Sequence, residues 1–174
     1  MKKPSLPWFL PKIRQAIAES FKSERFDLLL RPILLRTAES GADVRHAEVT
    51  SYGHNQAPPG GIQFEHLRES DAMGSLARYG QNKLAHILYC EAMAKRYPQT
   101  TNIPVYPGVG NTGLLRAKCL FTVARFLLQS TTQCAHNPLR AAAAPLEKLE
   151  NGQYYEPVGK EDGRFEDGRK RVLG

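Results

Sequence analysis

Apolar positions recur at helical spacing over 77–97, where the chain reads A-R-Y-G-Q-N-K-L-A-H-I-L-Y-C-E-A-M-A-K-R-Y. Leu84, Ile87, Leu88 and Ala92 fall on one stripe, no breaker interrupts the run after Gly80, and Pro98 supplies a stop. The pattern predicts a long, partly buried helix. Ile13, Ala16, Ile17 and Phe21 predict a short amphipathic helix after Pro11. Further helices are predicted over 114–129, which is apolar with Arg116, Lys118 and Arg125, and over 141–150, which contains Pro145. The run D-V-R-H-A-E-V-T-S at 43–51 and the shorter N-I-P-V-Y at 102–106 are strand candidates. A central parallel strand should be nearly continuously apolar. His46 and Glu48 fit such an interior badly, because an unpaired buried charge is costly, and this leaves an exposed irregular strand open as the alternative. Pro104 lacks a backbone donor and disfavours a central position for the second candidate. Residues 52–61 are rich in Pro, Gly, Asn and Gln and read as a loop, within which His54 is expected to be solvated rather than to line a substrate pocket.

Length and composition narrow the class. At 174 residues the chain suits one domain with a sizeable core. The net charge of +7 permits contact with phosphates, but the 24 basic and 17 acidic residues are interspersed. No polybasic block with interleaved aromatics occurs, so nucleic acid is not an expected partner, and a phosphorylated dinucleotide is the better anionic candidate. Cys90, Cys119 and Cys134 are odd in number and lack paired metal spacing, so they read as free thiols in a reducing, cytoplasmic setting, with no metal site. Prolines break the apolar run of the N-terminus, which makes it a poor signal peptide. No apolar run reaches the length of a membrane span.

Candidate chemistry sits near the start of the long helix. Tyr79 and Lys83 are four residues apart, so roughly 400° of rotation and about 6 Å of rise bring them onto one face. A phenol holds its proton too tightly to be a good acid or base at neutral pH, and an adjacent cation favours the phenolate. Tyr-x-x-x-Lys alone is a weak motif. Its context adds to it: V-T-S ends a strand candidate at Ser51, and N-I-P-V-Y-P-G-V-G-N-T follows the helix, with Pro107, Gly108, Val109 and Thr112. Residues 108–113 also spell G-x-G-x-x-G, but 114–144 contain no acid to bind a ribose, which argues against a dinucleotide fingerprint there.

In this order and spacing the sequence resembles the short-chain dehydrogenase/reductase family. Y-G-Q-N-K-L-A-H-I-L-Y and Y-P-G-V-G-N-T have near-identical counterparts in its retinol-dehydrogenase-like and WW-domain-oxidoreductase-like members. The resemblance runs over 26–159, after a helical segment at 1–25 without a counterpart and before a charged, glycine-rich tail at 160–174 that is expected to be disordered. It implies an α/β fold with a partial doubly wound, Rossmann-like parallel sheet and flanking helices. F-D-L-L-L-R-P-I-L-L-R-T-A-E-S-G then corresponds to the helix before the family's fifth strand, with Gly41 where a C-cap belongs, and N-G-Q-Y-Y-E-P-V-G to the last strand. At least three parallel strands are expected, ending near Ser51, Tyr106 and Tyr155.

The implied activity is hydride transfer between a nicotinamide and an alcohol or carbonyl carbon. By resemblance, Tyr79 gives or takes the hydroxyl proton, Lys83 holds the cofactor ribose, Ser51 hydrogen-bonds the substrate oxygen, and Thr112 with Pro107, Gly108 and Val109 contacts the nicotinamide end and phosphates. The implied cofactor is NAD or NADP, with NADP slightly favoured. The implied substrate is a small alcohol, ketone or aldehyde, and a homodimer is expected through the helix that starts at Phe26 and the Tyr-Lys helix. The family's glycine-rich first loop and its Asn-Asn-Ala-Gly stretch have no counterpart, and no Asn precedes Asn55, so the helix asparagine of the catalytic tetrad is missing too. The isolated chain is therefore expected to bind dinucleotide weakly or not at all. The alternative function is a catalytically inactive family derivative that dimerises or binds a partner.

Overall fold

The computed structural model describes residues 24–67, 69, 73–110, 128–157 and 160–161. The predicted helix at 1–25 lies almost wholly outside them, and that at 114–129 largely so. Helix α1 spans Glu24–Glu39 and ends close to Gly41, whose φ of 85° is the left-handed conformation expected just past a helix end. Strand β1 is Arg45–Val49, helix α2 is Ser75–Arg96, and strand β2 is Thr101–Val105. Helix α3 is Thr131–Ala143, β3 is Tyr155–Glu156 and β4 is Lys160–Glu161. The sheet order is β1-β2-β3-β4, with the first three strands parallel and β4 antiparallel to β3. This is the α/β, Rossmann-like partial sheet that the sequence pattern and the resemblance led us to expect. β4 falls within the charged tail.

Alternation along β1 and β2 sends successive side chains to opposite faces. His46 and Glu48 point toward α2, while Arg45 points toward α3, donating from Nη1 to the carbonyls of Ala144 at 2.6 Å and Ala141 at 3.3 Å. Those carbonyls belong to the end of α3, where the last turn lacks helical donors, so the guanidinium closes the helix. Ile103 and Val105 face the same side and pack with Ala141 and Tyr155. The opposite layer is α2. Leu84, Ala85, Ile87, Leu88, Tyr89, Ala92 and Met93 form its core together with Ile62 and Tyr154.

Pro104 nevertheless sits in the central strand, paired in register with Glu48. Backbone N–H groups of odd-numbered residues in β2 point toward β1, as Thr101 does to Val44 O, and those of even-numbered residues point toward β3, as Tyr106 does to Tyr155 O. The missing donor of Pro104 therefore faces the β3 side, where pairing begins only at Val105 with Tyr155. The proline costs no ladder hydrogen bond. Asn137 of α3 reinforces that junction, its Nδ2 donating to Tyr106 O at 2.8 Å and to Tyr155 O at 2.9 Å.

One helix boundary differs from the expectation over 141–150. The helix is Thr131–Ala143, opened by a capping box in which Ser130 and Gln133 bond reciprocally, and it holds Pro138. It stops because Pro145 forces the preceding Ala144 into an extended conformation, ψ 152°. Pro145 lies outside it and opens a short 3-10 turn, Leu146–Lys148.

Candidate active site

The parallel strands bring Ser51 and Pro107 to the same sheet end, because Val49 and Val105 are in register and each loop follows directly. In open parallel α/β sheets this carboxyl end is where ligands bind. Thr50 fixes the exit of β1: its N–H donates to Val105 O at 2.8 Å and its Oγ1 to the Lys83 carbonyl at 2.9 Å. Ser51 then caps a 3-10 turn, Tyr52–Gln56, with Oγ accepting from Gly53 N at 3.0 Å.

That turn lies directly on α2 at Gly80. A Cβ there would stand 2.5 Å from the Gln56 carbonyl carbon, 2.6 Å from Ala57 N and 2.8 Å from Gly53 O, so only glycine admits the contact. The approach places the preceding residue, Tyr79, beside Ser51. A Cβ on Gly53 would be 2.5 Å from Tyr79 Cε1 and 3.3 Å from Ser51 Oγ, so the serine hydroxyl and the phenol ring flank one glycine. Lys83 Nζ lies 5.8 Å from the centroid of the Tyr79 ring and donates to Val49 O at 3.2 Å. Ser51, Tyr79 and Lys83 thus converge, and Tyr79 is 45% exposed at the mouth.

The electrostatics turn on a carboxylate whose charge fits a strand interior badly. Glu48 lies between two histidines, with His86 Nδ1 2.5 Å from its Oε1 and His46 Nε2 3.3 Å from its Oε2. Burial by itself would raise this carboxyl, but the hydrogen bonds from His46 and His86 outweigh it and hold the group at about 2. Burial pushes Lys83 below the usual lysine value, and the Glu48 carboxylate acts in the opposite direction. Glu48 is therefore paired, which resolves the conflict between its charge and a strand position.

His54 corrects a second expectation. It is buried at 4% exposure rather than solvated, with Nδ1 2.8 Å from Ser51 O and its ring 5.2 Å from that of Tyr154. Donation from Nδ1–H to the Ser51 carbonyl holds the turn that carries Ser51. Tyr52 and Tyr106, which were not singled out in the sequence, form an aromatic wall there, with ring centroids 6.4 Å apart. Burial raises the Tyr106 phenol, with Glu156, Cys134, Tyr79 and Tyr52 adding to the effect. A tyrosine immediately after Ser51 and another before Pro107, both at strand exits, was the available signal.

Pro107, Gly108 and Val109 follow β2 at the same end. Gly108 has φ 96°, and the space a side chain would occupy is filled by the Gln129 amide, with Oε1 1.8 Å from an added Cβ. Gln129 N also donates to Val109 O at 2.9 Å, closing the segment. Thr112 lies outside the described residues. Among the described residues no cluster of three or more His, Cys, Asp or Glu suits a metal, and no helix is long and apolar enough to cross a membrane.

No family model matches the chain. It is 37% identical over 149 residues to an uncharacterized oxidoreductase of Schizosaccharomyces pombe, a match covering 78% of this chain and 44% of that protein. It is 33% identical over 151 residues to a short-chain dehydrogenase/reductase of Aspergillus calidoustus, covering 75% of this chain and 48% of the other. Mouse retinol dehydrogenase 12 is 32% identical over 134 residues, with 73% and 41% covered. With the parallel sheet and the convergence of Ser51, Tyr79 and Lys83, these likenesses define the class: the chain belongs to the short-chain dehydrogenase/reductase family. It spans a little under half the length of these relatives.

Proposed function

We propose that this chain carries the proton-transfer centre of a NAD(P)-dependent oxidoreductase that interconverts a small alcohol and its ketone or aldehyde. The observation that carries the reading is that Ser51 Oγ and the Tyr79 ring flank Gly53 while the Lys83 ammonium stands beside that ring. Tyr79 gives its phenolic proton to a carbonyl oxygen in reduction, or takes it from the alcohol in oxidation, a contribution of about 100- to 10,000-fold for positioned acid–base groups. Ser51 donates a hydrogen bond to the same substrate oxygen, where negative charge grows as the carbonyl is reduced. Lys83 stabilises the phenolate left behind by Coulomb attraction. A nicotinamide, when bound, supplies the hydride chemistry.

The described residues fit the nicotinamide end of such a cofactor. The half-buried ammonium of Lys83 next to the exposed Tyr79 can hold a ribose hydroxyl, and the backbone of Pro107, Gly108 and Val109 lines the neighbouring strand exit. Thr112 belongs to the same segment. A glycine-rich strand-to-helix turn for the pyrophosphate does not occur among the described residues. The +7 net charge favours the more anionic NADP over NAD. Tyr52 and Val109, both exposed, and the half-buried Tyr106 offer apolar area to the substrate, which favours apolar alcohols, ketones and aldehydes. Cys90 and Cys134 are not joined in a disulfide, in keeping with a reducing, cytoplasmic setting.

The test is Lys83→Ala. Isothermal titration should show weaker dinucleotide binding, and turnover should fall with it. Unchanged binding and turnover would remove Lys83 from the site.

A further inference from the structure

Three successive residues of β1 and its exit fasten a single turn of α2. Glu48 meets His86 through Oε1 at 2.5 Å, Val49 O accepts from Lys83 Nζ at 3.2 Å, and Thr50 Oγ1 donates to Lys83 O at 2.9 Å. His86 is one helical turn beyond Lys83, so the two side chains lie on the same face of the helix. Strand alternation aims Glu48 at that face together with His46, whose ring stands edge-on to Tyr89, 6.4 Å away. The charged and titratable groups around the carboxylate can be named by element. His46 comes from β1 and His86 from α2, with Lys83 one turn earlier on α2 beside the Tyr79 ring; Tyr89 of α2 stands against His46 and accepts a hydrogen bond from Arg31 of α1. From β2 the residue in register is Pro104, which carries no charge.

This arrangement is more than packing. Partial burial weakens a lysine's hold on its proton, and a neutral amine could neither hold charge beside Tyr79 nor stabilise a phenolate. Within the reading proposed above, the site needs a countercharge that stays fixed and does not itself occupy the substrate space. Glu48 meets both conditions, because each of its oxygens is occupied by a histidine and it approaches the helix from the strand side.

We propose that Glu48 is a positioning residue: held by His46 and His86, it presents one fixed negative charge to the first turns of α2 and keeps the Lys83 ammonium charged and directed at the end of β1. Glu48 touches neither substrate nor cofactor and acts through Lys83.

The experiment follows the Lys83 side chain by NMR in the full chain labelled with carbon-13 lysine, assigned with Lys83→Arg, as pH is raised. Glu48→Gln keeps the shape and removes the charge, so the Lys83 signal should titrate at lower pH than in wild type, while exposed Lys95 stays where it was. The pH profile of turnover should move the same way, its alkaline limb shifting to lower pH. If Glu48→Gln does not fold, Glu48→Asp takes its place. That variant draws the charge back by one methylene and should also lower the Lys83 titration. A Lys83 titration that does not move in whichever folded variant is measured overturns the proposal. The NMR readout needs no turnover, so failure of the proposed activity would leave this test intact and distinguishable.

Discussion

Replacing Gly80 by alanine should destabilise the protein, although the same change in an ordinary helix interior stabilises it by about 1 kcal/mol. The reason is the seating of the Tyr52–Gln56 turn. An added methyl would stand 2.5 Å from Gln56 C, 2.6 Å from Ala57 N and 2.8 Å from Gly53 O, three backbone atoms that cannot turn aside as a side chain could. Normal carbon contacts begin near ~3.5 Å, so the turn or the helix must move by roughly 1 Å. Overpacking of this kind costs typically about 1–3 kcal/mol. Offset by the helix-propensity gain, a net loss of up to about 2 kcal/mol is expected. Urea denaturation followed by circular dichroism measures it, with an unchanged slope showing that the unfolded state is the same. The displaced turn carries Ser51 and Gly53, so a shift of that size should also cost on the order of 100-fold in turnover. A Gly80→Ala protein more stable than wild type by the full helix-propensity gain would refute the contact and with it the placement of Ser51 beside Tyr79.

The Glu48 carboxyl drops from an ordinary 4.5 to about 2 in the folded chain, so it contributes stability that is fully present above the ordinary value and is lost as pH falls through the lower one. The contribution is on the order of 3 kcal/mol, and the stability gap between wild type and Glu48→Gln, from denaturation at several pH values, should narrow as the solution is acidified through that window. The isolated chain should bind NAD(H) or NADP(H) only weakly by isothermal titration, and micromolar affinity with a folded monomer would show that a full pyrophosphate cradle exists in this chain. Leu29 and Ile33, 75% and 50% exposed one turn apart on α1, should support a homodimer, so light scattering should report a dimer for wild type and a monomer for Ile33→Glu.

Much of the frame was legible because its signals are local. Helix α2 was expected over 77–97 and spans Ser75–Arg96, since the apolar stripe and Pro98 both lie within the segment. Ser51, Tyr79 and Lys83 were legible as candidates from motif order, and the structure sets Ser51 and Tyr79 against Gly53 with Lys83 beside the Tyr79 ring. The failures share a non-local cause. His54 looks like a loop histidine until Tyr154, a distant residue in sequence, covers it. Glu48 looks unpaired in a strand until α2 brings His86 against it. Pro104 looks disqualifying unless one knows that its missing donor faces the side where β3 has not yet begun. Helix α3 is different, for its Ser130 to Gln133 capping box is a local signal that stands in the sequence, yet the helix expected over 141–150 meets Thr131–Ala143 only at the latter's C-terminal end.

The central claim is that the Tyr79 hydroxyl moves the substrate proton, and turnover of wild type beside Tyr79→Phe, with dinucleotide well above its measured affinity, tests it most directly. The account predicts turnover in wild type and a loss of about 100- to 10,000-fold in Tyr79→Phe at unchanged dinucleotide affinity, since only the hydroxyl is removed and the ring against Gly53 is kept. Equal turnover in the two proteins, or none in wild type, would contradict it.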